Sequence, residues 1–122
     1  MADQTIRSYR DLIVWQKAMD LAEAVYKLSA AFPRSEQFGL TAQIRRAATS
    51  VPANIAEGYA RSGARDYAHF LTISRGSLLE VETFVLLAVR LGYLHEDSVQ
   101  SALNLSEEVS KMLRVLRERV IA

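Results

Sequence analysis

Few residues in this sequence have the type and spacing to do chemistry. Glu80 stands inside an apolar helical run, seven residues after Ile73 and four before Phe84. A carboxylate there would be a catalytic acid or one half of an ion pair, because a buried charge without a partner costs on the order of several kcal/mol. Arg45 and Arg46, on the preceding helix, offer guanidinium groups that can fork onto a carboxylate. No second catalytic group accompanies Glu80. The preferred reading is therefore a structural ion pair, Glu80 with Arg45 or Arg46, that fixes one helix against the next. Ser50, Asn54 and Glu57 flank Pro52. They are expected to satisfy backbone groups that the proline frees, with ligand binding as the alternative. Arg61 and Arg65, near Tyr59 and Gly63 where a helix begins, are candidates for phosphate contact, with Arg75 next. The alternative for them is a solvated loop. His69 falls on a helix surface and His95 at a helix start, and neither has a metal-binding or catalytic companion at useful spacing.

The absences narrow the function further. There is no cysteine, which removes disulfides, zinc–thiolate sites and cysteine nucleophiles. No glycine-rich phosphate loop and no His-Glu-x-x-His is present. No cofactor is implied, and an enzyme is not expected. Net charge is +1 over 122 residues, which argues against a strongly basic nucleic-acid binder while saying nothing about local patches. The start, Met1 to Tyr9, is polar and lacks the apolar core of a signal peptide. The longest apolar run, Phe84 to Val89, is too short to span a bilayer. A cytoplasmic, non-membrane protein is expected.

The elements that must position these residues are helices. Five glycines and two prolines are too few for an all-β chain, and the apolar spacing is helical almost throughout. Helix 1 should run from about Asp11 to Ala31 with two apolar seams, Leu12-Trp15-Met19-Ala22-Tyr26 and Val14-Ala18-Leu21-Val25-Leu28-Phe32. The seams lie about 100° apart, a wider apolar arc than one buried side requires. Helix 2 should start after Ser35, its N-cap, and reach about Gly58, kinked or divided by Pro52. Ser62 is the expected N-cap of helix 3, about Ala64 to Leu91, where Gly76 would mark a close helix contact. Helix 4 should cover about Glu96 to Val120, with acidic residues opening it and arginines closing it. Short connections make neighbours antiparallel. The fold class is thus all-α, an up-down-up-down four-helix bundle occupying 1–122 as one domain, with 1–10 an N-terminal arm.

The surplus apolar arc of helix 1 and the leucines on the polar side of helix 3 imply self-association. Val14, Leu21, Leu28, Leu79 and Leu86 are the residues expected at that interface.

The run Tyr9-Arg10-Asp11-Leu12-Ile13-Val14-Trp15-Gln16-Lys17-Ala18 carries a resemblance. So do Gln43-Ile44-Arg45-Arg46-Ala47, Gly76-Ser77-Leu78-Leu79-Glu80-Val81-Glu82 and Leu91-Gly92-Tyr93-Leu94. It is sharpest at Ser50-Val51-Pro52-Ala53-Asn54-Ile55-Ala56-Glu57-Gly58. Over about Tyr9 to Arg117 the chain resembles the four-helix bundle proteins known as 23S rRNA intervening-sequence proteins. More distantly, it is similar to the accessory variability protein of diversity-generating retroelements. The resemblance implies a ring-like homopentamer and a nucleic-acid partner, RNA or DNA. The retroelement relatives use a basic ring surface to engage nucleic acid and reverse transcriptase. This nearly neutral chain departs from that pattern, so an oligomeric scaffold for another protein stands as the alternative.

Overall fold

A computed structural model describes residues 5–122. Four helices carry the fold: α1 (Ile13–Ser29), α2 (Leu40–Tyr59), α3 (Ala64–Arg90) and α4 (Glu96–Ile121). Short 3-10 turns at Tyr9–Asp11 and Arg34–Glu36 precede α1 and α2. Each helix packs on its chain neighbours, and α1 closes the bundle against α4. Contacts between neighbours pair rising with falling residue numbers. Arg45 meets Tyr26 and Ser29, Ser74 meets Val51 and Ser77 meets Ser50, and Thr72 meets Arg117 while Arg75 meets Ser110. For α2 with α3, and for α3 with α4, that is the contact pattern of antiparallel neighbours.

One apolar stripe from each helix makes the core. Val14, Ala18, Leu21 and Val25 of α1 meet Ile44, Ala48, Val51 and Ile55 of α2. They also meet Leu71, Leu78, Val81 and Val85 of α3, and Val99, Val109 and Leu113 of α4. No helix among the described residues is long and apolar enough to cross a membrane.

The helix ends differ from the sequence expectation in instructive ways. Ser35 does not cap α2, which starts at Leu40. Its first amide is held instead by Glu36, whose Oε1 accepts from Leu40 N at 3.0 Å. Tyr93 Oη donates to the other oxygen of Glu36 at 2.9 Å, tying the turn before α2 to the turn after α3. The Leu40 amide and then the Tyr93 hydroxyl hold the Glu36 carboxyl below its ordinary value, and the same contact raises the Tyr93 hydroxyl. Ser62 does not cap α3 either; Gly63 occupies the cap position without a side-chain bond. Gly92 adopts φ 81°, a left-handed residue that ends α3, with the Tyr93 amide donating to Ala88 O at 2.9 Å.

Within α2 the helix runs unbroken through Pro52, so the expected division into two helices does not occur. Proline cannot donate to the Ala48 carbonyl, and neighbouring polar groups adjust around it. Asn54 Nδ2 donates to Ser50 O and to Ser50 Oγ, both at 2.8 Å, and Ser74 Oγ donates to Val51 O at 2.8 Å. Of the three expected to serve the local backbone only Asn54 does so, at Ser50 O; the Ser50 hydroxyl meets the Asn54 and Ser77 side chains, and Glu57 pairs with Arg61.

Candidate nucleic-acid interface

The basic residues separate once the helices are placed. Arg61 donates to Glu57 at 2.7 Å and lies 4.7 Å over the Phe70 ring, so its charge is already met within the chain. Arg65, one turn further on, lines an open groove between α3 and α4 with Ala64, Ala68, His69, Thr72, Arg117 and Ile121. Arg117 Nε donates to Thr72 Oγ1 at 3.0 Å, and Arg75 Nε donates to Ser110 Oγ at 3.3 Å. Arg114 lies one helical turn from Arg117. Among the described residues none of Arg65, Arg75, Arg114 and Arg117 has a carboxylate within 4.0 Å. Two of them are steadied by neutral hydroxyls, which leaves most donors of each guanidinium free.

This seam belongs to a wider asymmetry. At the end where α1 and α3 begin and α2 and α4 finish lie Arg7, Arg10, Arg61, Arg65, Arg114, Arg117 and Arg119. Asp11, Glu57, Asp66 and Glu118 are the acids there. The other end carries Glu23, Glu36, Glu82, Glu96 and Asp97 against Lys27, Arg34, Arg45, Arg46 and Arg90, and is balanced. A net charge of +1 over the chain therefore conceals one basic end. Arg114 and Arg117 read in the sequence only as residues that suit a helix carboxyl terminus. Pairing the end of α4 with the start of α3 is what brings Arg117 into the groove that Arg65 lines.

The ion pair expected of Glu80 does not form. Glu80 is exposed, and among the described residues no carboxylate lies within 4.0 Å of Arg45 or Arg46. At about 100° per residue, Glu80 points about 160° away from buried Leu78, so its run (Ile73, Glu80, Leu87 and Leu91) lies on the outer face of α3. Arg45 instead donates from Nε to Ser29 Oγ at 2.8 Å and from Nη2 to Tyr26 O at 3.2 Å. Its guanidinium lies 4.6 Å from the Tyr26 ring centre. Arg46 and Glu80 are both exposed and line a small pocket between α2 and α3 with Gln43, Ala47, Ser50, Ser77 and Phe84.

The expected oligomer interface divides. Val14 and Leu21 are core residues and Leu28 is half-buried against the core, so the seam assigned to a partner is the one α1 turns inward. The other α1 seam holds the surplus: Met19 and Tyr26 stay exposed beside a groove floored by Trp15, Ala22, Pro52 and Ala56. Leu79 and Leu86 are 53% and 52% exposed, so these two remain available. His69 and His95 are both exposed, His69 on the arginine groove and His95 at the start of α4.

Fold and site together define a helical-bundle protein whose open surface is cationic at one end. The chain belongs to the 23S rRNA-intervening sequence protein family, whose profile matches residues 10–115. A similar solved structure is a protein with unknown function from the S23 ribosomal protein family of Bacteroides thetaiotaomicron. It superposes with TM-score 0.79 at 26% identity over 86% of this chain and 98% of that one. Comparison with curated proteins gives no match.

Proposed function

We propose that the chain is a non-catalytic, oligomeric adapter that binds RNA or DNA along the α3/α4 seam. The observation that carries this is the placement of Arg65, Arg75 and Arg117 along one seam, with Arg114 a turn from Arg117, none with a carboxylate within 4.0 Å among the described residues. A guanidinium donates in a planar fork that suits phosphate oxygens, and phosphate contact needs no catalytic group and little sequence selectivity. One subunit offers few such contacts. A symmetric assembly, with a pentamer as first choice, repeats them so that avidity supplies what a single copy lacks. Exposed Leu79 and Leu86, with Met19 and Tyr26 on α1, are the apolar surface for that assembly.

Fluorescence anisotropy with labelled single- and double-stranded RNA and DNA, over a salt series, tests the nucleic-acid half. Affinity should fall steeply with salt as counterions are released. Light scattering tests assembly: a mass several times 13.7 kDa is expected, and a clean monomer would sink it. A correctly assembled oligomer that binds nothing at low salt would leave the exposed leucines as a scaffold for another protein, the second reading.

A further inference from the structure

The pocket between α2 and α3 is separate from the arginine seam, and packing accounts for little of its rim. Three sequence blocks singled out above converge on it. Gln43–Ala47 supplies Gln43 and Arg46, Ser50–Gly58 supplies Ser50, and Gly76–Glu82 supplies Ser77 and Glu80. Val51, Pro52, Ile55 and Gly58 of those blocks are buried, which explains their presence. Gln43, Arg46 and Glu80 are exposed and stabilise nothing visible: none of the three makes a side-chain hydrogen bond or ion pair among the described residues. A cation and an anion that line one pocket without closing on each other present a donor fork and an acceptor pair to whatever enters.

The rest of the pocket fits a flat polar ring. Its volume is about 160 Å³, the share of about five water molecules. Phe84, half-buried, gives it an aromatic wall. On the floor Ser50 Oγ and Ser77 Oγ are 2.9 Å apart, and Asn54 Nδ2 donates to Ser50 at 2.8 Å. One proton joins the two hydroxyls, so one remains to be donated.

We infer that this pocket takes an unstacked guanine base of a single strand, a specificity site that rests on the nucleic-acid reading above. Guanine offers O6 and N7 as paired acceptors, the arrangement an arginine fork recognises. On the adjoining edge its N1–H and 2-amino group present paired donors to a carboxylate. Adenine and cytosine offer a carboxylate one exocyclic amine, and uracil none. Single-stranded bases are read in this way, stacked on an aromatic ring and bonded along their exposed edges. Arg46 would donate to O6 and N7, Glu80 would accept from N1–H and the 2-amino group, and Phe84 would face the ring.

The test uses the full-length protein in two measurements. The first is an NMR titration of the 15N-labelled chain with GMP, IMP, AMP, CMP and UMP. GMP should bind about ten-fold tighter than AMP, CMP or UMP, with IMP weakened by loss of the 2-amino group. Glu80→Gln and Arg46→Gln should each abolish the preference with melting temperatures unchanged, since both side chains are exposed. The second compares labelled uridine heptamers with and without a central guanosine. The guanosine should tighten binding to the parent and not to Glu80→Gln. Equal affinity for all nucleotides, or a preference that survives both substitutions, overturns the inference. Salt-dependent binding of both heptamers without a difference overturns it too, and leaves the arginine seam standing. Selective GMP binding with no oligonucleotide binding overturns both the single-strand role and the nucleic-acid reading, and leaves a guanine-nucleotide pocket.

Discussion

The Arg45 guanidinium closes the carboxyl end of α1. Helix ends leave carbonyls without intrahelical donors, and a cation there also meets the helix dipole favourably. By bonding Tyr26 O and Ser29 Oγ, Arg45 fastens α2 to the last turn of α1. Arg45→Ala should lower unfolding free energy by about 1.5–3 kcal/mol, the range for hydrogen bonds to charged groups, as measured by urea denaturation. Glu80→Ala, on an exposed residue with no side-chain partner among the described residues, should leave the melting temperature where it was; a drop of many degrees would contradict that exposure. Glu36 makes a pH prediction. Its carboxyl is held below its ordinary value of 4.5, first by the Leu40 amide and then by the Tyr93 hydroxyl. A carboxyl depressed by folding contributes stability that is fully present above its unfolded value and lost as pH falls through its folded value. Melting temperature should therefore decline in acid below about pH 4.5, and Glu36→Gln should flatten that part of the decline. Parallel acid profiles for the two proteins would contradict the assignment.

Between helices, two glycines make opposite predictions. Gly58 lies where α2 crosses α3 closely, and a Cβ there would meet Phe70 Cβ at 2.8 Å and Tyr67 Cδ1 at 3.0 Å. Gly58→Ala should cost about 1–3 kcal/mol, because overpacking outweighs the gain in helix propensity. Gly76 has nothing within 4 Å of an added Cβ and lies on the outer face of α3, so it does not mark the close contact its sequence position suggested. Gly76→Ala should stabilise the isolated chain by about 0.5–1 kcal/mol. Thermal melting of both variants side by side checks the pair. The same contrast shows what was legible in the sequence. Helix number and the main stripes were, because Val14-Ala18-Leu21-Val25 and Val99-Ala102-Ser106-Val109-Leu113 repeat at helical spacing and are buried. The α2 cap was not, because Glu36 reaches Leu40 through a turn that spacing does not encode. The exposure of Glu80 was obscured because apolar residues recur along two faces of α3, so periodicity offered two seams and only packing selects between them. The arginine seam depended on α3 and α4 lying side by side, which no single helix pattern contains. Of its members Arg65 and Arg75 were read as phosphate contacts, but Arg61 was read so too, and Glu57 holds it.

At the scale of the whole molecule, a nearly neutral chain can engage nucleic acid when its basic residues gather at one end. The basic end and the α3/α4 seam would set orientation, and repetition in an assembly would set affinity. The most direct measurement is the salt dependence of RNA affinity for the parent and for Arg65→Gln/Arg117→Gln. Each phosphate contact removed should reduce the slope of log affinity against log salt by about 0.7 for a single strand or 0.9 for a duplex. If each subunit in contact uses both arginines, the double variant should bind more weakly at low salt, with a slope smaller by about 1.4 or more per engaged subunit. Its assembly mass and melting temperature should match the parent. An unchanged affinity and slope, in a variant that assembles normally, would contradict the account.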